Sequence, residues 1–366
     1  MERRKFLGGA ALAGAAAVGT GASALPAPAY AKGRRKLKMV TTWPKNFPGL
    51  GFMAKRAAEW LGEATDGRID IRVYAAGELV PALECFDAVS NGTADMYHGA
   101  DYYWQGKSKG FNFFTAVPFG LTAVENNAWV QFGGGQELWD ELAAKFSIKP
   151  FQCGNTGVQM GGWFKNPVTT LEDWKGLKIR MPGLGGEVVR RMGAAATTIP
   201  GGEIFPALQS GAIDATEWVG PWNDLAFGFH KVVKYYAWPG FHEPGSTLAL
   251  GMNLEVWNSF SKADQALVRS VCMAVDNYSL AEYSMMNGRA LKELTTKHGV
   301  QMFRMPNDVL AKIGEISGDV LREASEEDEL VKRIYDSFIA ARGEVSEWSR
   351  ISEQAFWEAR AQPYKF

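Results

Sequence analysis

Apolar and polar positions recur along this chain with two alternating periods. Leu-Lys-Met-Val-Thr-Thr-Trp at 37–43 predicts a strand. From Phe52 to Thr65, Met53, Ala57, Trp60, Leu61 and Ala64 fall at helical spacing, and Gly67 ends the run. Ile69 to Val73 then alternates as a strand does. Helix, Gly and strand return at Leu83–Gly92 and Ala94–Gly99. Glu137 to Phe146 predicts another helix, and Leu177 to Met181 a short strand closed by Pro182-Gly183. This regular change of period predicts an α/β architecture.

One unit of the pattern occurs twice. Glu84 to Asp95 (ECFDAVSNGTAD) resembles Glu203 to Asp214 (EIFPALQSGAID), with Glu, Phe, Ala, Gly and Asp at matching places. Each copy predicts a helix stopped by a left-handed Gly, followed by a strand opened by Asp. Two similarly built α/β halves follow from it. Ligands of such sheets bind where the strands end, so the halves are expected to share a cleft. Ser261 to Gly299 holds no proline and starts with a capping-box-like Ser261 and Asp264. Unbroken at Asn287-Gly288, it would reach about 57 Å and run along both halves. Near the end of the chain, Ile334, Phe338, Ala341, Val345, Trp348 and Ala355 keep a near-heptad spacing. Such a helix packs either on its own domain or on a second subunit.

Composition narrows the function. The chain has 366 residues, 46% hydrophobic and 22% charged, which predicts two folded domains rather than a disordered chain. Lys+Arg number 39 and Asp+Glu 40, with no basic run after residue 38, which excludes a nucleic-acid partner. Three cysteines without CxxC spacing form neither a disulfide framework nor a zinc site. The first 31 residues follow the plan of an export signal. Arg3-Arg4-Lys5 precede an Ala- and Gly-rich apolar run, and Ala29-Tyr30-Ala31 suits cleavage. The paired arginines resemble the twin-arginine type. The run is too weakly apolar for a membrane anchor, so the expected product is a soluble protein outside the cytoplasm.

Catalytic motifs do not emerge. HExxH, GxSxG and Walker A patterns are absent, and His98, His230, His242 and His298 are scattered without ligand spacing. Glu84 and Asp95 suit the turn better than acid–base work. Gly183-Leu-Gly185 opens a helix, but Val188 stands where a dinucleotide loop needs its third Gly. What remains is a binding constellation. Alternation in a strand sends Arg180 to the face opposite Ile179 and Met181, where its guanidinium could take a carboxylate in a cleft. Glu217 and Trp218 follow the second copy of the repeat, Gln159 follows Gly154-Asn-Thr-Gly, and Trp163 and Trp222 are further aromatic candidates.

Three segments carry a resemblance: Leu171 to Pro182 (LEDWKGLKIRMP), Gly202 to Trp218 (GEIFPALQSGAIDATEW) and Tyr235 to Gly245 (YYAWPGFHEPG). On these the chain resembles the substrate-binding proteins of TRAP transporters, the tripartite ATP-independent periplasmic carriers. It looks closest to the branch that binds 2-oxo acids such as pyruvate. The resemblance implies a two-lobed α/β periplasmic binding protein with a long interdomain helix and a C-terminal dimerisation helix. Lobe I would take 32–153 and about 246–285, and lobe II 154–245 and about 286–330. Residues 331–366 would serve a homodimer. The implied activity is capture of a small monocarboxylate with a cation, without catalysis, and delivery to the membrane permease subunits. Arg180 would pair with the ligand carboxylate. Glu217, the Trp218 carbonyl and Gln159 would ligate the cation, with Gln159, Trp218 and Glu243 also contacting the ligand. A 2-oxo acid chelates a hard cation through its carboxylate and keto oxygens, and oxygen ligands suit Na+ or Ca2+. Charge neutrality favours Na+ if Glu243 stays out of the cluster and Ca2+ if it joins. Alternatives are a receptor for lactate or other 2-hydroxy acids with Ca2+, a receptor for larger acids, or an exported lyase or hydrolase using Glu217.

Overall fold

The structure, a computed structural model, describes residues 33–365, so the expected export signal lies outside the described residues. Among the described residues, eleven strands form two sheets. The first holds β1 (Arg35–Thr41), β2 (Ile69–Tyr74), β3 (Met96–Gly99) and β4 (Ile148–Asn155). The second holds β5 (Gly162–Phe164), β6 (Lys178–Arg180), β7 (Ala195–Thr197), β8 (Ala215–Thr216) and β9 (Tyr235–Trp238). The chain then returns to the first sheet as β10 (Thr247–Asn253) and to the second as β11 (Gln301–Arg304). The orders are β2-β1-β3-β10-β4 and β11-β9-β5-β8-β6-β7. This is the expected two-lobed α/β fold.

The two sheets repeat one plan. β1 lies parallel to β2 and β3, as β6 lies parallel to β7 and β8. An antiparallel strand flanks each set, β10 beside β3 and β5 beside β8. The sequence repeat is the joint of this plan. Gly92 and Gly211 both adopt left-handed φ, +80° and +77°, which glycine takes without strain. Asp95 N–H donates to Lys38 O at 3.0 Å, and Asp214 N–H donates to Lys178 O at 2.7 Å. Each carboxylate then accepts from the same lysine's backbone N–H, at 2.6 Å and 3.4 Å. Asp95 thus serves the turn, as its position in the repeat implies.

A helix of 36 residues, Lys262–Lys297, joins the lobes without a break at Asn287-Gly288. Ser261 Oγ caps it by accepting from Asp264 N–H at 3.1 Å. Its middle holds β4 of lobe I, where Asn155 N–H donates to Ser279 Oγ at 2.9 Å. One turn on, Tyr283 donates to Asn223 Oδ1 at 2.6 Å, and Asn287 Oδ1 accepts from Trp222 N–H at 3.0 Å. Asn223 in turn donates to Pro48 O at 2.9 Å, so the brace reaches both lobes.

The C-terminal helix Glu329–Ser349 divides the expected seam. Leu330, Val331, Ile334 and Phe338 are buried in its own chain, with Phe338 edge-on to Trp129 at 5.1 Å. Trp348 is 67% exposed, and Ile351, Phe356 and Trp357 beyond it are exposed too. Ala341 and Val345 still pack against this core, so the seam finds partners within this chain as far as Val345 and is exposed beyond it.

Lobe I is built around aromatic stacking. Phe114 lies flat between Trp129 and Trp139, at 5.2 Å and 5.1 Å. Asp101, fully buried, accepts from Tyr97 Oη at 2.8 Å and Trp139 Nε1 at 2.9 Å. Burial pushes its carboxyl up to about 7, against the pull of both hydrogen bonds. The unfolded chain releases this proton near pH 4, the folded chain near 7. The group therefore contributes stability below about pH 4 that is lost as pH rises to about 7. Asp101→Asn should make the fall in urea-unfolding stability across that window shallower, the rest of the fall belonging to Asp224, Glu243 and Asp276, which are pushed up likewise.

Candidate functional site

The site forms where the two segments crossing between lobes run side by side. Thr156 N–H donates to Ser246 O and Gln159 N–H to Glu243 O, each at 3.1 Å. Gly240 permits this approach, since a Cβ there would lie 2.3 Å from Gln159 O. The crossing brings Gln159 and Glu243, 84 positions apart, to one place. Gln159 Nε2 donates to Glu243 Oε2 at 2.7 Å and to Thr156 Oγ1 at 3.1 Å.

Lobe II supplies the charges from adjacent strand ends. Arg180 closes β6 opposite Thr216 of β8, and Glu217 N–H donates to Arg180 O at 3.1 Å. Ile179 and Met181 enter the hydrophobic core, and Arg180 turns to the cleft as alternation predicts. Both Arg180 and Glu217 are wholly buried. Arg180 Nη1 donates to Glu217 Oε1, Nη2 to Tyr103 Oη at 3.3 Å, and Nε to Ile199 O at 3.3 Å. Its guanidinium also lies over the Trp218 ring at 5.1 Å. Burial is the largest influence and opposes the charge of Arg180, but Glu217, Tyr103 and Tyr102 together outweigh it and raise the pKa, so the guanidinium stays protonated.

Two more groups complete the cluster. Glu243 is buried, and burial followed by the charge of Glu217 pushes its carboxyl up to about 7. His242 Nε2 lies 3.2 Å from Glu217 Oε2. Burial works against a charged imidazole, but the hydrogen bond to Glu217 and the nearby carboxylates win and raise its pKa. The lobe I wall is aromatic: Trp43, Tyr102 and Tyr103 face Trp218 across the cleft. Trp43 Nε1 donates to His98 Nδ1 at 2.8 Å, so the other ring nitrogen of His98 carries the proton and donates to Cys153 O at 3.0 Å. The remaining space is about 10 Å³, room for roughly one water. Any larger molecule needs more, so its entry requires the lobes to part.

The donors suit a cation. Glu217, His242 and Glu243 each offer a ligand atom within 4.8 Å of the others. Gln159 Oε1 is buried and has no hydrogen-bond partner, an amide oxygen free to act as a hard ligand.

Every residue expected to bind, Gln159, Arg180, Glu217, Trp218 and Glu243, comes to this one place. Two aromatic candidates do not. Trp163 stacks on Tyr236 at 4.0 Å in the lobe II core and donates to Asp224 at 2.9 Å, because β5 turns it inward. Trp222 packs on Tyr283 of the long helix at 5.3 Å. The sequence reading also passed over His242, Tyr102 and Tyr103. His242 adjoins Glu243 in the 235–245 segment. The tyrosines follow the first copy of the repeat, as Glu217 follows the second, and that parallel was the available signal.

The profile of the bacterial extracellular solute-binding proteins, family 7 (DctP), matches residues 39–328. A monocarboxylate 2-oxoacid-binding periplasmic protein of Nostoc sp. is 40% identical over 322 residues, 87% of each chain. Two solved TRAP periplasmic solute-binding proteins are each 38% identical, with TM-score 0.86 over 89% of this chain and 99% of theirs. The protein from Pseudoalteromonas atlantica holds sodium and pyruvate, and that from Colwellia psychrerythraea holds calcium and pyruvate.

Neutralising one partner of the buried pair should expose its cost. Glu217→Gln leaves the Arg180 charge without its direct partner. Urea unfolding without ligand should show a loss of about 3 kcal/mol.

Proposed function

Since the chain belongs to the bacterial extracellular solute-binding proteins of family 7, the receptors of TRAP transporters, we propose that it captures a small 2-oxo monocarboxylate with one cation. Pyruvate and 2-oxobutyrate fit this reading. Members of the family bind solutes and do not transform them, and the chain is a periplasmic receptor rather than an enzyme. Among the described residues no helix is long and apolar enough to cross a membrane. As for other receptors of this family, delivery falls to the membrane permease subunits of the transporter.

The observation that carries the substrate reading is the wholly buried Arg180 together with an unpartnered oxygen of Gln159, which bonds Glu243 in the same cluster. One guanidinium serves one carboxylate, and a cation held nearby chelates the keto oxygen. Gln159, Glu217 and the Trp218 carbonyl would hold that ion, with Glu243 joining through its contact with Gln159. Glu243 decides the charge count. With Glu243 ionised and His242 neutral, Arg180 and a dication balance Glu217, Glu243 and the ligand carboxylate, whereas a proton on either Glu243 or His242 gives the same balance with Na+. A balanced buried cluster costs less, so the neutral His242 with ionised Glu243 favours Ca2+. Lactate and other 2-hydroxy acids present the same chelating pair and form the second reading.

Sheet membership supports a lobe I of 32–153 with about 246–285, and a lobe II of 154–245 with about 286–330. The exposed stripe Trp348, Ile351, Phe356 and Trp357 supports a homodimer formed through residues 331–366. Trp348→Glu with Trp357→Glu should then convert a dimer to a monomer in sedimentation velocity, with pyruvate binding retained in the monomer.

Calorimetry on protein stripped with a chelator tests the ligand. Pyruvate and 2-oxobutyrate should bind tightly with Ca2+ and weakly without it, and succinate should bind in neither case. Arg180→Ala should cost at least about 2 kcal/mol of pyruvate affinity, because a desolvated carboxylate loses its partner. Unchanged affinity in that variant would contradict the assignment.

A further inference from the structure

We propose that His242 is the positioning residue that keeps Glu217 on the cation when Arg180 turns from Glu217 to the incoming carboxylate. The inference rests on the cation–carboxylate reading above. In the structure Glu217 is held at both oxygens. Arg180 Nη1 donates to Oε1, and His242 Nε2 stands 3.2 Å from Oε2. The two grips differ in what a ligand does to them. Arg180 is the guanidinium in contact with this cluster, so a ligand carboxylate must compete with Glu217 for its N–H groups. His242 has no such competitor. Its Nε2 faces Glu217, and its Nδ1 is buried without any hydrogen-bond partner. A proton on Nδ1 would be an unsatisfied buried donor, so the Nε2–H form that donates to Oε2 is favoured.

Without His242, a Glu217 released by Arg180 would be free to rotate away from the cation. With it, one oxygen remains fixed while the other becomes available as a ligand. Outer partners of this kind orient metal-binding carboxylates elsewhere and matter to ion affinity. His242 is 3% exposed and sits on the segment that pairs with Gln159, so the same backbone sets both ligands. Its place beside Gly185, whose Cβ would lie 2.9 Å from His242 Cβ, holds the ring against lobe II.

The discriminating quantity is the factor by which Ca2+ strengthens pyruvate binding. It is measured by calorimetry on the full mature chain, with and without the ion. His242→Leu removes the donor at similar bulk, and His242→Gln keeps an N–H near the Nε2 position. The Leu variant should reduce the Ca2+ factor about tenfold or more. The Gln variant should restore it to within about threefold of the wild type. A purely structural role for His242 would weaken binding equally with and without the ion and leave the factor unchanged. That result, with both variants folded by circular dichroism, would overturn the inference while leaving the receptor assignment intact. A wild-type protein that binds pyruvate without any response to cations would instead overturn the reading beneath it, and this inference with it.

Discussion

A full positive charge at the dry junction of two lobes is the constraint from which the rest of this site follows. Arg180 has no exposed surface, and burying an ion of its size is costly unless it is paired and hydrogen-bonded. Glu217 meets that demand from the neighbouring strand, and Tyr103, the Ile199 carbonyl and the Trp218 ring share the remaining surface. A well-packed apolar pair would serve stability as well or better. On the function proposed above, the internal charge pair gives something a hydrophobic pair cannot, a guanidinium that exchanges Glu217 for the ligand carboxylate. That proposal makes the cost of the pair part of receptor function.

Everything that places this pair is backbone geometry. Parallel strands β6 and β8 end together, which sets Arg180 and Glu217 side by side. The paired crossings between lobes bring Gln159 and Glu243 over them from the other side. The long helix ties both lobes through Ser279, Tyr283 and Asn287, and so limits how the lobes move relative to one another. Motion that opens a path to the cleft must act at the crossings while keeping this brace, which is the usual logic of hinge closure around a ligand.

The sequence disclosed the local parts of this arrangement and few of the distant ones. The repeat at Glu84–Asp95 and Glu203–Asp214 was legible because a helix, a left-handed Gly and an Asp form a closed unit within a dozen residues. It correctly implied two sheets of one plan. Arg180 was legible because strand alternation determines its face. The 36-residue helix was legible from its cap and unbroken pattern. Glu243 and His242 could not be brought into the cluster by any local period, since contact with Gln159 and Glu217 depends on how two crossings align. Trp163 and Trp222 misled for the same reason: aromatic character marks a wall, but only tertiary packing tells core from cleft. The C-terminal seam was legible only in part, because the pattern that packs Ile334, Phe338, Ala341 and Val345 on the core continues unchanged into exposed Trp348.

The exchange of carboxylates at Arg180 is the central claim, and a crystal structure of the protein grown with pyruvate and Ca2+ tests it most directly. The account predicts the pyruvate carboxylate on Arg180, the keto oxygen and Glu217 on one cation, and Gln159 Oε1 turned to that same ion. A complex in which Arg180 still holds Glu217 while pyruvate sits elsewhere, or binds with no cation, would contradict it.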